Sequence, residues 1–411
     1  MYDQSINQIS LSKTLRRSDF HIVFDLRDES KREQILFQSV ATASTGAWSL
    51  SPLKISQLRG KNVYSLPKFS DELLVRKINN NIRYFRRLRN PARTSIVTNL
   101  ARVTAEAVPY KLYRLDVKSF FESFSVSHVL TTIDNIEALS LSTKRLLRDL
   151  FKHFSDSGGT GIPRGLAISS TLSELMMHDF DLVIKNKKNV FFYARYVDDI
   201  ILVTSGQEVE TDFIKEIEKL LPDGLKLSKK KQEITTVSKT TKTSSCVFHF
   251  EYLGYKFKVT DPKALKTFRH VELGIATNKI KKIKTKIVLA MNDFCGTHDI
   301  SLFRMRLQFL CGNFSLNDRD LSRNRLAGIY YNYHLIHNKS EDSGLVELDK
   351  FLKKTMFSNY GRVFSSFHDK TTTSQRRELT KLSFQAGFES KSFLHYSKSK
   401  LVLIQKCWKY V

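Results

Sequence analysis

Cysteine is scarce and scattered in this sequence. Its 411 residues include four cysteines, Cys246, Cys295, Cys311 and Cys407, and none of them forms a CxxC pair. No clustered histidines accompany them. This pattern argues against a zinc site and against a disulfide framework. It suits a reducing compartment, and we expect the protein in the cytoplasm.

Long apolar runs are missing as well. No stretch approaches the roughly 20 apolar residues that a membrane-spanning helix needs. The first five residues lack a basic segment followed by an apolar one, so no secretory signal is visible. We therefore expect neither a membrane protein nor an exported one.

Acidic residues are outnumbered by basic ones. The chain has 41 Asp and Glu against 67 Lys and Arg, which gives a formal net charge of +26. Such an imbalance causes self-repulsion unless a polyanion accepts the charge, and nucleic acid is the commonest acceptor. The 15 tyrosines and 29 phenylalanines add rings on which single strands can stack, although most of these rings are expected in the core.

The first part of the chain mixes apolar and basic patches. Residues 71–89 predict a helix with Ser70 as its N-cap, ending before Asn90-Pro91. The apolar residues at helical spacing are Leu74, Ile78, Ile82 and Phe85. From about residue 258 the sequence is mainly helical and basic. Its lysine-rich segment 279–287 fits either a solvated helix face or a nucleic-acid contact.

The middle of the chain concentrates strands, turns and acids. Its expected elements, in order, are a strand at 113–117, a helix capped by Ser125, a loop at 161–165, a helix at 169–184, a hairpin around 191–203, a helix at 209–221, and strands at 225–227 and 247–257. Several of these elements place an acid at a strand end.

Tyr196-Val197-Asp198-Asp199 lies between two apolar runs and predicts a hairpin whose turn presents two acids. Unpaired aspartate is costly to bury, so rigidly held acids of this kind most often bind a divalent metal. The alternative is a turn in which the aspartates only accept backbone hydrogen bonds. Asp116 supplies a third acid at another strand end, and carboxylates from different strands are what two-metal phosphoryl transfer requires.

Five segments together resemble the successive palm motifs of reverse transcriptases, in order. They are residues 113–121, 161–169, 196–199, 224–231 and 252–254. The resemblance covers about residues 50–260. It implies an α+β right-hand polymerase with fingers and the N-terminal region at 1–110. The palm, with an antiparallel sheet, a catalytic hairpin and fingers insertions, would be at 111–257, and a helical, basic thumb with a C-terminal extension at 258–411.

The resemblance also implies a role for each acid. Asp116 and Asp198 would bind two Mg²⁺ ions, helped by the backbone carbonyl of Val117, and Asp199 would be the secondary acid. Mn²⁺ is the alternative metal. Together these residues would make the chain an RNA-directed DNA polymerase.

Further residues are implied around the nucleotide. Phe121 would exclude a ribose 2′-hydroxyl, and Gly165 would let the backbone approach the nucleotide, with Ser169 capping the next helix. Arg164 stands where many relatives carry glutamine. Lys231 would neutralise the leaving pyrophosphate, with Lys229 and Lys230 as alternatives.

Two more groups of residues follow from the resemblance. Arg76 and Lys77, with Arg83, are candidates to hold the triphosphate. Tyr252, Leu253 and Gly254 resemble the hairpin that grips the primer, although a plain buried hairpin would have the same pattern.

Among reverse transcriptases, the chain looks most similar to the bacterial defence-associated "unknown group". Its N-terminal region and the loop at 162–166 resemble the first polymerases of type 3 defence systems. This placement implies antiphage defence, a non-coding RNA template, a DNA product made from deoxynucleoside triphosphates, and a second reverse transcriptase as partner.

Three alternatives stay open. A retron-type enzyme would make a branched RNA–DNA hybrid, but the Asn-Ala-x-x-His and Val-Thr-Gly elements expected of retrons are absent. An RNA-directed RNA polymerase would usually show Gly-Asp-Asp at the hairpin and a small gate residue, so Val197 and Phe121 count against it. A non-catalytic RNA-binding scaffold is disfavoured by the intact acids.

Overall fold

The computed structural model describes residues 2–46, 52–58, 60–86, 92–238, 247–261, 268–318 and 323–408. They divide into two compact units. The first unit contains the described residues up to Ala92 and those from Val108 to 238, and the second contains Arg93–Ala107 and the described residues from 247 onward. These units differ from the boundaries at 110 and 257 that the sequence predicts, because residues 93–107 and 247–257 group with the C-terminal part.

The secondary structure mixes helices and mostly antiparallel strands. Among the described residues, the α-helices are α1 (Gln8–Ser12), α2 (Glu29–Thr45), α3 (Phe69–Arg86), α4 (Arg93–Thr104), α5 (Val126–Asp134), α6 (Leu141–Asp156), α7 (Ser169–Lys185), α8 (Glu210–Leu220), α9 (Thr277–Thr297), α10 (Ile300–Cys311), α11 (Ile329–Tyr333), α12 (Leu345–Phe357), α13 (Arg362–Asp369), α14 (Thr373–Leu379), α15 (Phe384–Glu389) and α16 (Lys398–Gln405). The short 3₁₀ helices are Asp19–His21, Phe24–Arg27, Lys229–Lys231, Glu341–Ser343 and Lys406–Trp408. The strands are β1 (Lys54–Leu58), β2 (Lys61–Ser65), β3 (Tyr110–Asp116), β4 (Val190–Tyr196), β5 (Asp199–Thr204), β6 (Glu233–Val237), β7 (Val247–Tyr252), β8 (Tyr255–Thr260), β9 (His270–Ile275), β10 (Asn313–Asp318), β11 (Arg323–Gly328) and β12 (Phe393–Leu394).

The first unit is organised around an antiparallel sheet with strand order β4-β5-β3-β6. Residues 200–203 of β5 and Leu112, Tyr113 and Leu115 of β3 are fully buried. Helices α5, α6 and α7 contribute to the same apolar core. Burial of this apolar surface fixes the strand register, because a slip by one residue would turn the buried side chains outward.

The sequence predicts α3 correctly but not its beginning. Leu74, Ile78 and Ile82 are fully buried, as the helical spacing requires. Helix α3 begins at Phe69, so the prediction of Ser70 as N-cap is wrong. Ser70 lies inside the first turn, and its carbonyl accepts a hydrogen bond from Ser39 Oγ. Residues 87–91, where the predicted helix ends, lie outside the described residues.

Two predictions about capping have opposite outcomes. Ser125 is the N-cap of α5, and its hydroxyl accepts a hydrogen bond from the His128 N–H at 3.3 Å. The predicted capping role of Ser169 is wrong, because Ser169 is the first residue of α7 and its hydroxyl donates to the Pro163 carbonyl.

The prediction of a strand at 225–227 is also wrong, since Leu227 forms only an isolated bridge with Val117.

The second unit contains more strand than the sequence predicts. Strands β7, β8 and β9 form one antiparallel sheet, and β10 lies between β11 and β12 in another. Helix α9 has the predicted apolar face, with Ile280 and Ile287 buried. In the lysine-rich segment, Lys284 pairs with Glu347 at 2.6 Å and Lys286 lies over the Trp408 ring. None of the helices in the described ranges combines the length and apolar character needed to cross a membrane.

The cap at Ser125 gives a test of the fold. We expect Ser125→Ala to lower the free energy of unfolding by about 1 kcal/mol, because one N–H in the first turn of α5 loses its acceptor. Ser142→Ala, at an exposed position in the first turn of α6, is the matched control. Denaturant unfolding of both variants is the measurement, and an equal loss in the two would contradict the cap.

Candidate active site

The hairpin predicted at residues 196–199 is confirmed, and it carries two acids, Asp198 in the turn and Asp199 at the start of β5. Tyr196 pairs with Asp199, so Val197 and Asp198 form a two-residue turn between β4 and β5. Asp116 at the end of β3 pairs with Asp199 across the sheet. The Asp198 carbonyl accepts a hydrogen bond from the Val117 N–H at 3.0 Å. The sheet register therefore brings Asp116, Asp198 and Asp199 together.

Val197 adopts an unusual backbone conformation in this turn. Its φ is +63°, in the left-handed region that β-branched residues rarely occupy. Conformations of this kind cost roughly 1–3 kcal/mol and persist only when surrounding contacts hold them. The turn before Asp198 is therefore under strain.

Lys231 is the lysine that reaches the acids. Its Nζ lies 2.7 Å from Asp116 Oδ1, and this hydrogen bond raises the pKa of Lys231. Lys231 ends the 3₁₀ helix Lys229–Lys231, which starts after a hydrogen bond from the Ser228 N–H to the Asp116 carbonyl. Among the three candidate lysines, this contact favours Lys231 for the role beside Asp116.

The two acids of the hairpin are poorly compensated. Burial raises the pKa of Asp198, and the negative charge of Asp116 raises it further. Burial also raises the pKa of Asp199 to about 6, although Arg114, whose Nε lies 3.7 Å from Asp199 Oδ1, opposes this shift. Burial thus disfavours the charged form of both carboxylates, and a bound cation would offset this penalty.

The chemistry of these acids fits magnesium that is shared with a substrate. Within the described ranges, no group of three or more His, Cys, Asp or Glu side chains could hold a metal ion by itself. Mg²⁺, however, is usually held by one or two carboxylates, with substrate phosphates and water completing its shell. Asp116 and Asp198 supply such carboxylates, so the site suits phosphoryl transfer to a substrate that brings its own phosphates.

Phe121 and Arg164 form a second part of the site. Phe120 is core, whereas Phe121 is half-buried and packs edge-on against it. The Arg164 guanidinium lies 4.9 Å from the centre of the Phe121 ring and binds Glu122 through Nε and Nη2, at 3.0 and 3.3 Å. Burial favours a raised pKa for Glu122, but the hydrogen bonds from Arg164 hold it below its usual value.

The backbone conformation and close packing of the chain require glycine at position 165. Its φ is +105°, and a Cβ there would lie 2.6 Å from Val63 Cγ1 and 2.7 Å from the Tyr64 carbonyl oxygen. The Tyr64 N–H donates to the Arg164 carbonyl at 2.7 Å. The close approach that this glycine permits in the structure is therefore to β2. Its contact with a nucleotide stays a prediction.

Arg76 and Lys77 are not brought to the acids. Arg76 is buried and binds Asp19 through both terminal nitrogens, at 2.7 and 3.1 Å. Lys77 is also buried, and its Nζ donates to the Asp3 carbonyl at 2.6 Å. Both cations stabilise contacts with the N-terminal segment, so the structure gives no support for their predicted triphosphate contact. Arg83, by contrast, is exposed.

Glu122, which binds Arg164, and Lys61, which reaches Glu122, were missed by the sequence reasoning. Lys61 on β2 places its Nζ 3.4 Å from Ser119 Oγ and 4.0 Å from Glu122 Oε2. The available signal was Gly60 followed by Lys61 at the start of the segment that forms β2. Its link to Ser119 spans 58 residues, which local pattern reasoning does not reach.

The segment that resembles a primer grip is a hairpin in the second unit. Tyr252 pairs with Tyr255, and Leu253 and Gly254 have φ values of +47° and +79°, as a tight two-residue turn of type I′ requires. Tyr252 is fully buried. Arg93 Nε donates to the Leu253 carbonyl at 2.7 Å. The role of this hairpin in holding a primer stays a prediction.

A family model matches the middle of the chain. Residues 63–257 match the family model described as reverse transcriptase (RNA-dependent DNA polymerase). This segment, a little under half of the chain, contains the acids, Lys231, Arg164 and the hairpin at 252–254. The predicted α+β right-hand polymerase fold is confirmed. No match was found among curated proteins.

Solved structures of telomerase show distant similarity. Apo telomerase from Candida tropicalis, truncated from its C-terminal domain, is 13% identical with a TM-score of 0.33, and the match covers 57% of this chain and 59% of that one. Telomerase from Candida albicans with a fragment of telomeric RNA is 13% identical with a TM-score of 0.36, over 88% and 64%. The chain thus spans about three fifths of the length of these structures. Similarity at this level assigns no activity.

The raised pKa of Asp199 gives a pH-dependent test. In metal-free protein the folded state binds this proton more tightly than the unfolded state, so Asp199 makes stability fall as pH rises from about 4 to about 6. We therefore expect Asp199→Asn to raise Tm relative to wild type, and to do so more at about pH 7.5 than at about pH 4.

Thermal unfolding in the presence of a chelator measures this difference. Asp179→Asn, which removes one charge from an exposed position of α7, is the control. A Tm difference for Asp199→Asn that does not grow with pH would contradict the electrostatic account.

Proposed function

We propose that the chain is an RNA-directed DNA polymerase that extends a primer by nucleotidyl transfer at Asp116 and Asp198, on the premise that residues 63–257 carry a reverse transcriptase domain. The observation that carries the proposal is the sheet register. It places Asp116 opposite Asp199 and beside Lys231, with Asp198 in the adjoining turn. An enzyme of this kind needs acids from separate strands at one point, and the structure supplies them.

Different residues would bind the metal ions and neutralise the leaving group. Bound Mg²⁺ would polarise the phosphoryl oxygens and favour ionisation of the attacking hydroxyl. Asp116 and Asp198 would hold the ions, with the Val117 carbonyl beside them. Lys231, whose ammonium already lies against Asp116, would neutralise charge on the departing pyrophosphate.

The sugar of the nucleotide would contact a separate set of residues. The half-buried ring of Phe121 would leave no room for a 2′-hydroxyl, and so would favour deoxynucleotides. Arg164 would hold that ring in place, because its guanidinium lies over the ring and is fixed by Glu122. This contact gives a physical reason for the arginine at position 164, where many relatives carry glutamine.

The finer biological role rests on the resemblance in the N-terminal region and the loop at 162–166. We assign fingers to residues 1–110, palm to 111–257 and thumb to 258–411. We propose that the enzyme is cytoplasmic and acts in antiphage defence, copying a non-coding RNA into DNA with a second reverse transcriptase as partner. The net charge of +26 supports a nucleic-acid partner.

Polymerase activity is tested by primer extension on an RNA template with labelled deoxynucleotides. We expect Asp198→Asn to lower incorporation roughly 10³-fold or more, because a metal ion supplies several kcal/mol and each ~1.4 kcal/mol is worth about tenfold in rate. Asp179→Asn is the control for a lost carboxylate on the exposed side of α7.

The same assay separates the competing enzyme classes. Wild-type protein is expected to prefer deoxynucleotides to ribonucleotides, whereas an RNA polymerase would show the reverse. Full incorporation by Asp198→Asn would refute the proposed site, and a 2′,5′ branch in the product would indicate a retron-type enzyme.

The defence role has its own test. Sequencing of RNA and DNA that co-purify with the protein from its host is expected to give one non-coding RNA and its complementary DNA. Asp116→Ala is expected to abolish the DNA and the protection against phage. Protection that survives this substitution would indicate a non-catalytic RNA-binding role.

A further inference from the structure

Arg195, on β4 immediately before the hairpin turn, is the centre of a buried ion-pair network. Only 3% of its side chain is exposed. A guanidinium has five N–H donors, and in Arg195 all five are used. Nε donates to Asp181 Oδ1 at 2.9 Å, Nη1 donates to Glu174 Oε1 at 3.1 Å and to the Val197 carbonyl at 2.9 Å, and Nη2 donates to Glu174 Oε2 and Asp181 Oδ2, both at 2.7 Å.

Both carboxylates of this network lie on α7, behind the sheet. Glu174 and Asp181 are seven positions apart, two helical turns, and so lie on one side of the helix. Asp181 also accepts a hydrogen bond from the Tyr193 hydroxyl. Burial disfavours the charged guanidinium, but the two carboxylates hold the pKa of Arg195 above its ordinary range. The cation is therefore anchored to a helix that does not itself carry the catalytic acids.

The remaining hydrogen bond of Arg195, donated by Nη1, links this ion-pair network to the strained turn. Its acceptor is the carbonyl of Val197, the residue with a φ of +63°. Asp198 follows directly, and its own carbonyl accepts the Val117 N–H. The peptide units on both sides of Asp198 are thus held from outside the turn, one by Arg195 and the other by Val117, which follows β3.

We propose that Arg195 is a positioning residue that fastens the Val197–Asp198 turn to α7 and so fixes the Asp198 carboxylate for the reaction. Its catalytic consequence rests on the proposed function, whereas its effect on the turn does not. Lysine is no substitute, because its ammonium has three N–H donors on one atom and cannot supply the five hydrogen bonds that Arg195 donates to two carboxylates and a carbonyl. The fork of arginine is the feature that the turn uses.

Hydrogen exchange tests the effect on the turn without any assay of activity. In Arg195→Lys, we expect amides in residues 190–204 and the Val117 N–H to exchange roughly tenfold faster or more, because the turn loses a charge-assisted bond. Arg306→Lys is the matched control. Arg306 is an equally buried arginine of the second unit, bound to Asp293 and to the carbonyls of Leu403 and Ile404.

Kinetics then separates positioning from simple loss of stability. Arg195→Lys is expected to lower kcat about 10–100-fold, as small misplacements of catalytic groups do, while KM for the nucleotide changes less than about threefold. Arg306→Lys, with a similar loss in Tm, is expected to retain kcat. Equal kcat in the two folded variants, or unchanged exchange at residues 190–204, would overturn the proposal.

A double substitution tests whether the strained turn is the route of the effect. Glycine adopts a positive φ readily, so Val197→Gly removes the conformational strain that the contact with Arg195 offsets. The fold-loss of kcat caused by Arg195→Lys is therefore expected to be smaller in the Val197→Gly background. Additive losses would show that Arg195 acts elsewhere.

A milder variant covers the case in which Arg195→Lys does not fold. Glu174→Gln keeps an acceptor for the guanidinium but removes one of the two anchoring charges. Its exchange at residues 190–204 is expected to rise by less than in Arg195→Lys but above wild type, and unchanged exchange would again overturn the proposal. Faster exchange in Arg195→Lys, together with a wild-type protein that shows no polymerase activity, would refute the proposed function and leave the role in the turn intact.

Discussion

The crowding of negative charge at one end of a buried sheet is the constraint on which the rest of the site depends. Asp116 and Asp198 repel each other, and burial denies them most of the water that would otherwise screen them. The neighbouring residues can be understood as responses to this charge. Lys231 binds one acid, Arg114 approaches another, and the remaining deficit is what a metal ion with its substrate would fill. A site that is incomplete by itself is well suited to a reaction that starts only when a charged substrate arrives.

The part of the site that the sequence predicts well is the part encoded locally. The hairpin follows from two apolar runs around Asp198-Asp199, and the buried faces of α3 and α7 follow from helical spacing. Caps were harder, because serine at a helix start fits several positions within one turn. Ser70 and Ser169 each lie one or two residues inside the helix that they were expected to cap.

Long-range partners explain most of the remaining differences. A basic residue is equally visible in the sequence whether it faces solvent or a buried acid, and Arg76 finds Asp19 at a distance of 57 residues along the chain. Lys61 was missed for the opposite reason, since its neighbours Ser119 and Glu122 lie on another element. Gly165 shows the same limit, because the strand that crowds it, β2, lies a hundred residues earlier. Composition identifies such residues, but only the tertiary fold assigns their partners.

Two turns of this protein place an apolar residue where glycine would be easiest. Val197 and Leu253 both have positive φ, and an arginine from outside each turn, Arg195 or Arg93, donates to the carbonyl of that residue. The conformation of each turn therefore depends on an arginine that lies outside its own four residues. A consequence concerns transplantation: the tetrapeptide Tyr-Val-Asp-Asp grafted onto another hairpin would not carry its geometry with it. The smallest portable unit is the hairpin, which includes Arg195, together with the two acids of α7.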